Sequence, residues 1–255
     1  MRFDIITIFP DIFTSFLSES LMAKAIEKKL LEVRLTTPRD FTIDRHQTAD
    51  DRPYGGGPGM VLKPEPMAAA IEDASKGRVK PWRIFLSPSG QKLNQAKVRE
   101  LADKKRLMLI CGRYEGLDQR VIDLLVDEEI SVGDYVVNGG EVPAMILMEA
   151  VARLTPGFMG KGESADEESH QSGLLEYPHY TRPPEFRGLA VPNVLMSGDH
   201  QKVARWRMKA SLERTLATRP ELLASANLSP ETVEILTSTT ETSSVNRGKP
   251  KSPGQ

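Results

Sequence analysis

The hydrophobic pattern of this chain alternates between two periods. Residues 3–9 form a nearly continuous run of Phe, Ile and Thr that Pro10 interrupts, which predicts a buried strand. From Asp11 onward Ile12, Phe13, Phe16, Leu17, Leu21, Ala25 and Ile26 recur at helical spacing. The same reading predicts strands at 33–37, 83–87, 107–111 and 130–137, the last interrupted by Gly133. Helices are predicted at 64–75, 94–104, 117–126 and 142–154. Strands alternating with helices of this length imply an α/β fold, a parallel sheet with helices on both faces. Ligands of such sheets bind beyond the carboxyl ends of the strands. Here those ends run into Ser87-Pro88-Ser89-Gly90, Gly112-Arg113-Tyr114-Glu115-Gly116 and Asn138-Gly139-Gly140, each containing glycine.

The remainder is organised differently. Residues 39–60 have no periodicity and include Pro53-Tyr54-Gly55-Gly56-Gly57-Pro58-Gly59. A loop of that length is usually functional or disordered. Residues 160–172 are polar and almost devoid of apolar side chains, which reads as a mobile linker. Residues 177–194 are proline-rich and extended. A strong helix is expected at 200–217, with Val203 and Trp206 facing a core, and a weaker one at 230–236. The tail from 237 has the composition of a disordered segment. The expected organisation is a main domain over 1–159, a linker over 160–172, a small helical domain over 173–237 and a tail over 238–255.

Composition narrows the function. In 255 residues, 34 Lys and Arg balance 35 Asp and Glu, which excludes a polybasic coat but not a local basic face. The single cysteine, Cys111, rules out an intramolecular disulfide and fits a reducing compartment. With only four histidines beside it, a structural zinc site is not expected. The first ten residues lack a signal h-region, and no apolar run approaches the roughly 20 residues of a membrane span. A cytoplasmic protein without membrane contact is the expectation.

Four groups of residues carry candidate chemistry. The glycine-rich loop lacks the fingerprints of phosphate-binding and dinucleotide-binding loops. Its glycines satisfy either a turn needing positive φ or a close backbone approach to a ligand. The preceding Asp44-Arg45-His46-Gln47-Thr48-Ala49-Asp50-Asp51-Arg52 is dense in groups able to read a splayed-out base, or is a solvated charge run. The segments 111–116 and 133–141 place small residues around an aromatic and a carboxylate. They suit either helix capping or the backbone reading of an adenine edge. Arg153 ends a helix just before the acidic 160–172 segment, offering a cation and, in Asp166, Glu167 and Glu168, a base. In 199–219, six cationic side chains (Lys202, Arg205, Arg207, Lys209, Arg214, Arg219) stand against Asp199 and Glu213, and Lys202, Arg205 and Lys209 share a helical face. That is a solvated face or an RNA-backbone surface.

The ordered set of Asp51-Arg52-Pro53-Tyr54-Gly55-Gly56-Gly57-Pro58-Gly59-Met60, Leu86-Ser87-Pro88, Cys111-Gly112-Arg113-Tyr114-Glu115-Gly116, Gly133-Asp134-Tyr135-Val136, Gly139-Gly140-Glu141-Val142-Pro143-Ala144 and Pro178-His179-Tyr180-Thr181-Arg182-Pro183 resembles the bacterial tRNA (guanine-N1)-methyltransferases of the SPOUT class, from about residue 3 to 236. The resemblance implies a deep trefoil knot near 87–154, a homodimer with active sites between subunits, S-adenosylmethionine as donor, and tRNA as substrate. The target is guanosine 37 following guanosine 36. It also implies Mg²⁺, for which no ligand spacing is recognisable and no metal ligand is assigned. By the same resemblance Leu86, Ser87, Pro88, Gly112, Tyr114, Glu115, Val132, Gly133, Asp134, Tyr135, Val136, Val137, Gly139, Gly140 and Pro143 bind the donor. His46 and Asp50 contact tRNA on that resemblance, and Arg52 beside them and the basic stripe Lys202, Arg205 and Lys209 are expected to do so by their charge. Arg153 faces the target base. Glu168 stands where many relatives carry an aspartate as general base, with Glu167 as its neighbouring alternative, and His170 stands where many carry phenylalanine. The alternatives are a related SPOUT enzyme acting on another RNA base, a non-catalytic RNA-binding protein, and a hydrolase using Glu115 and Asp118.

Overall fold

The computed structural model describes residues 1–159, 173–224, 226, 228, 232 and 234. The predicted linker, the tail and most of the predicted helix at 230–236 lie outside them. The chain divides into two compact units, Met1–Gly162 and Glu163–Gln255.

The first unit is built on a five-stranded sheet in the order β2-β1-β6-β5-β7, all parallel. The strands are β1 (Arg2–Ile6), β2 (Glu32–Thr36), β5 (Trp82–Lys92), β6 (Arg106–Cys111) and β7 (Glu128–Ser131). A small antiparallel pair, β3 (Asp50–Asp51) and β4 (Val61–Leu62), closes the base of the glycine-rich loop. The helices are α1 (Thr14–Ser18), α2 (Ser20–Glu27), α3 (Pro64–Ala74), α4 (Gln95–Ala102), α5 (Gln119–Leu125) and α6 (Glu141–Ala152). Alternation along the strands sorts side chains to two cores. Phe3, Ile5, Ile84, Leu86, Leu107, Leu109 and Cys111 face α4, α6 and the N-terminal helices, meeting Val98, Leu101, Leu147, Met148 and Val151. Ile6, Phe85, Met108 and Ile110 face the other way, onto Met67, Ala70, Ile71 and Val121 of α3 and α5.

Three predicted elements differ in the structure. The helix expected from Asp11 is a 3₁₀ turn (Pro10–Phe13) followed by α1 and α2, because Glu19 is extended at φ −119°, ψ 155°. The strand expected at 130–137 stops at Ser131. The Ser131 hydroxyl donates to Gly133 O at 3.0 Å and accepts from Gly133 N at 3.3 Å, and these local bonds compete with continuation of the ladder. β5 runs to Lys92 instead of ending near Ser87, but it bulges: Leu86 and Gln91 both pair with Ile130, so residues 87–90 loop out of the sheet.

At the amino ends of the strands Asp4 and Arg106 are buried together. Arg106 Nε donates to Asp4 Oδ2 at 2.6 Å, and the guanidinium also bonds the carbonyls of Val79 at 2.8 Å, Lys76 at 3.1 Å and Ala74. Arg2 holds the other carboxylate oxygen at 2.7 Å.

The second unit contains a short hairpin, β8 (Glu185–Phe186) and β9 (Leu189–Ala190), and the long helix α7 (His200–Thr218), N-capped by Asp199, which accepts from Lys202 N at 3.1 Å. Among the described residues its core is small: Leu174 and Leu212 with Leu223, Ala226 and Leu228. Val203 and Trp206 are only half-buried, contrary to expectation. The buried positions of α7 are Ser211, Leu212 and Thr215. Trp206 lies about 140° round the helix from Ser211 at 100° per residue, off that face.

Arg106→Met leaves a buried carboxylate with one partner fewer and should destabilise the first unit by about 3–5 kcal/mol, read as a lower urea midpoint. Lys92→Ala, which removes the exposed 2.6 Å pair with Asp134, should cost less than about 1 kcal/mol in the same assay.

Candidate functional site

The carboxyl ends of β5, β6 and β7 open into a cleft of about 460 Å³. Three segments line it: the 87–90 bulge, the 112–117 loop and the irregular 132–140 stretch leading into α6. Of the residues expected at a donor site, Leu86, Ser87, Pro88, Gly112, Tyr114, Glu115, Val132, Gly133, Tyr135, Val136, Val137, Gly139, Gly140 and Pro143 all lie in its wall. Asp134 does not line it; its carboxylate sits in solvent against Lys92.

Close backbone approach makes the cleft. Gly140 N donates to Gly112 O at 2.8 Å, and a Cβ on Gly140 would fall 2.6 Å from Cys111 Cα and 2.9 Å from Gly112 N. A Cβ on Gly90 would strike the backbone of Glu129 and Ile130. Gly112 packs under the Phe85 ring and Gly133 under the Tyr135 ring. Tyr114 adopts φ 58°, a conformation that costs a non-glycine residue about 1–2 kcal/mol, and its side chain is half in solvent at the rim.

Sequence reasoning did not single out the group that fixes this rim. Glu141, the first residue of α6, is buried, with only 1% of its surface exposed. Its carboxylate accepts from Thr7 Oγ1 at 2.7 Å and from Arg113 Nε at 2.8 Å. The helix N-terminus favours a negative charge there. Arg113 lies over the Phe9 ring at 4.8 Å and lines the cleft. Glu141 and Thr7 are far apart in the chain, so only their shared burial signals the pairing.

Burial pushes the Cys111 thiol well above its ordinary range; the Glu141 carboxylate adds to this and Arg113 opposes it. Asp118 caps α5, and the Arg120 guanidinium at 2.7 Å holds its carboxyl below the usual range. Neither arrangement places a nucleophile beside a base, which removes the observation that a Glu115–Asp118 hydrolase would need.

The glycine-rich loop is tied to the cleft. Glu115 N donates to Met60 O at 2.9 Å, Leu62 N to Gly116 O at 2.9 Å, and Asp118 N to Leu62 O at 3.1 Å. Gly59 lies directly against the Glu115 side chain. Gly55, Gly56 and Gly57 have positive φ with open space around them, so turn conformation alone accounts for these three. In the preceding segment the Asp44 carboxylate accepts from His46 N and from Thr48 N and Oγ1, bracing the turn. Desolvation pushes the Asp44 carboxyl up, but these bonds outweigh it and hold the carboxyl below its ordinary value. His46 and Arg52 are exposed and Asp50 is half-buried beside them.

Arg153 is the C-cap of α6 and half-buried. Lys202, Arg205 and Lys209 are exposed on α7. Glu167, Glu168 and His170 lie outside the described residues. Among the described residues no group of three His, Cys, Asp or Glu side chains is placed to hold a metal ion. No described helix is long and apolar enough to cross a membrane.

In the folded protein Cys111 should resist iodoacetamide at pH 8, where its thiol stays protonated and covered, and react fully once unfolded, as read by intact mass. Gly140→Ala should cost about 1–3 kcal/mol of stability through overpacking against fixed backbone, read as a lower denaturation midpoint.

Residues 1–225 match the family described as tRNA (Guanine-1)-methyltransferase TrmD. A tRNA (guanine-N(1)-)-methyltransferase of Geotalea uraniireducens (strain Rf4) is 54% identical over 236 residues, covering 92% of this chain and 96% of the relative. Proteins of the same name from Synechococcus sp. (strain JA-3-3Ab) and Pasteurella multocida (strain Pm70) are each 53% identical, over 92% of this chain and 93% and 97% of their own lengths. A match along nearly the whole chain, on a sheet whose strand ends converge on one glycine-lined cleft, makes this protein a member of the tRNA (guanine-1)-methyltransferase family.

Proposed function

We propose that this protein transfers a methyl group from S-adenosylmethionine to N1 of guanosine 37 in cytoplasmic tRNAs that carry guanosine at position 36. The relatives' names speak of tRNA guanine N1. The observation that carries the donor assignment is the cleft, whose size lies within the roughly 300–1,000 Å³ of small-ligand sites. Backbone groups of its glycine-bearing loops would read an adenine edge, and Leu86, Val137 and Pro143 in its wall would pack the ring. When bound, the donor supplies an electrophilic methyl on a sulfonium. Among the described residues no group of three His, Cys, Asp or Glu side chains is placed to hold Mg²⁺, and no step is assigned to it.

Guanine N1 holds a proton and is a poor nucleophile until it leaves. A free glutamate, with pKa near 4.3, is too weak a base to remove it alone. Arg153 would stabilise the negative charge that develops on O6. Glu168 would accept the N1 proton. His46, Asp50 and Arg52 would read bases of the anticodon loop, and Lys202, Arg205 and Lys209 of the C-terminal helical domain would hold the backbone. The chain from 87 to 154 is read as the trefoil knot, in keeping with the backbone contacts at Gly90 and Gly140.

The length of α6 supports a homodimer. Gly140 at its start lines the cleft, whereas Arg153 caps its end, about 20 Å away at 1.5 Å per residue. One side chain does not span that distance, which supports reading Arg153 as serving the cleft of a second copy. Val142 and Ile146, one turn apart on α6, are 52% and 43% exposed and supply apolar surface for that contact.

An unmodified tRNA with guanosines 36 and 37, incubated with S-adenosylmethionine and protein, should yield 1-methylguanosine by nucleoside mass spectrometry. The same tRNA with adenosine 36 should not. Donor binding without product in either would move the activity to another RNA base. Glu168→Gln and Arg153→Ala should each slow single-turnover methylation by about 10²–10⁴-fold. Arg153→Ala co-expressed with Val137→Asp, at a cleft-lining and partly exposed position, should recover activity that neither has alone; no recovery would place both residues in one subunit's site.

A further inference from the structure

Among the described residues, Trp206 lies outside the core cluster of its own unit. It is half-buried on α7, while the buried face of that helix runs through Ser211, Leu212 and Thr215. It borders a cavity of about 530 Å³ with Pro178, Ala210, Lys209, Glu213 and Arg214. Trp206, Pro178 and Ala210 offer apolar surface to that cavity; the other three are charged. Tyr180, 49% exposed, sets its ring 6.2 Å from the indole at a 59° tilt. Alongside, the Arg207 guanidinium covers the Tyr177 ring at 4.8 Å, and Tyr177 packs against His179 at 4.8 Å. Arg214 is anchored by donating from Nη1 to Glu176 O at 3.2 Å.

Helical spacing places Trp206 within the basic stripe, four residues after Lys202 and three before Lys209. A purely electrostatic grip on phosphates needs no aromatic surface. Flat aromatic surface interleaved with cations is the chemistry that takes unpaired nucleobases. Every base has a π-face to stack, and a base paired within a helix cannot present it.

We propose that Trp206, with Tyr180 and Pro178, forms a stacking pocket for one unpaired nucleobase of the RNA substrate, Lys209 and Arg214 taking the flanking phosphates. The proposal rests on the reading that tRNA is the substrate. The pocket contributes to holding RNA and leaves methyl transfer itself untouched, so its loss raises KM for tRNA without changing kcat or donor affinity.

The chain has two tryptophans, so Trp82→Phe leaves Trp206 as the sole indole reporter. Unmodified tRNA and a single-stranded oligoribonucleotide should quench its fluorescence, and a blunt RNA duplex of equal length should quench far less. Trp206→Ala should weaken tRNA binding about 10- to 100-fold at an unchanged salt slope, with Trp206→Phe retaining most of the affinity. Lys209→Ala should instead lower the salt slope by about one. Tyr180→Ala, at an exposed position, carries the same expectation as Trp206→Ala if the latter does not fold. Wild-type affinity in both alanine variants, or tRNA binding without quenching, would overturn the stacking pocket alone. Equal quenching by duplex would overturn it in favour of backbone binding. A wild-type protein with no affinity for tRNA would overturn the pocket and the tRNA reading together.

Discussion

Gly140 rests against the backbone of Cys111 and Gly112, closer than any side chain permits, and the working end of the sheet follows from that contact. It seats the start of α6 directly on the end of β6. The next residue, Glu141, is thereby carried into the interior, where a carboxylate is costly unless paired. Thr7 from the end of β1 and Arg113 from the end of β6 meet it. One close approach therefore ties two strands, a helix and the rim of the cleft into a single arrangement, with the Arg113 guanidinium held at the cleft wall.

Glycine serves two physical purposes in this chain. Gly140 has an ordinary backbone conformation, φ −77°, and is required by lack of space. Gly55, Gly56 and Gly57 have open space and are required by positive φ. Gly59 combines both, with φ +84° and the Glu115 side chain against it. It stands where the glycine-rich loop joins the cleft. The glycine-rich loop and the cleft are thus placed side by side by main-chain hydrogen bonds that do not depend on side-chain identity.

The two units use charge differently. At the amino ends of the strands, Asp4 and Arg106 are sealed from water and their hydrogen bonds are satisfied within the protein, which locks β1 to β6. In the second unit, the cations of α7 stay in solvent, and their ion pairs with Asp199 and Glu213 are exposed. Such pairs add little stability and leave the charges available to a polyanion.

Much of this was legible in the sequence. Apolar periodicity alone sets out the order of strands and helices, the parallel sheet and the three glycine-bearing strand ends, because burial on a sheet or a helix imposes its own spacing. The motif set identifies the family, and all but one of the residues expected at a donor site line the cleft. Hydrophobicity could not reveal that the segment after Ser131 leaves the sheet, since a serine side chain bonding to its own backbone decides that locally. Nor could it reveal the Glu141 cluster, the Asp4–Arg106 pair or the orientation of Trp206. These depend on which distant residues share a buried space and on the rotation of α7 over a core that begins at Ser211. The sequence determined the elements and their chemistry; close packing between segments far apart in the chain decided which groups meet, because burial makes an unpaired charge or an extra methyl group too costly to tolerate.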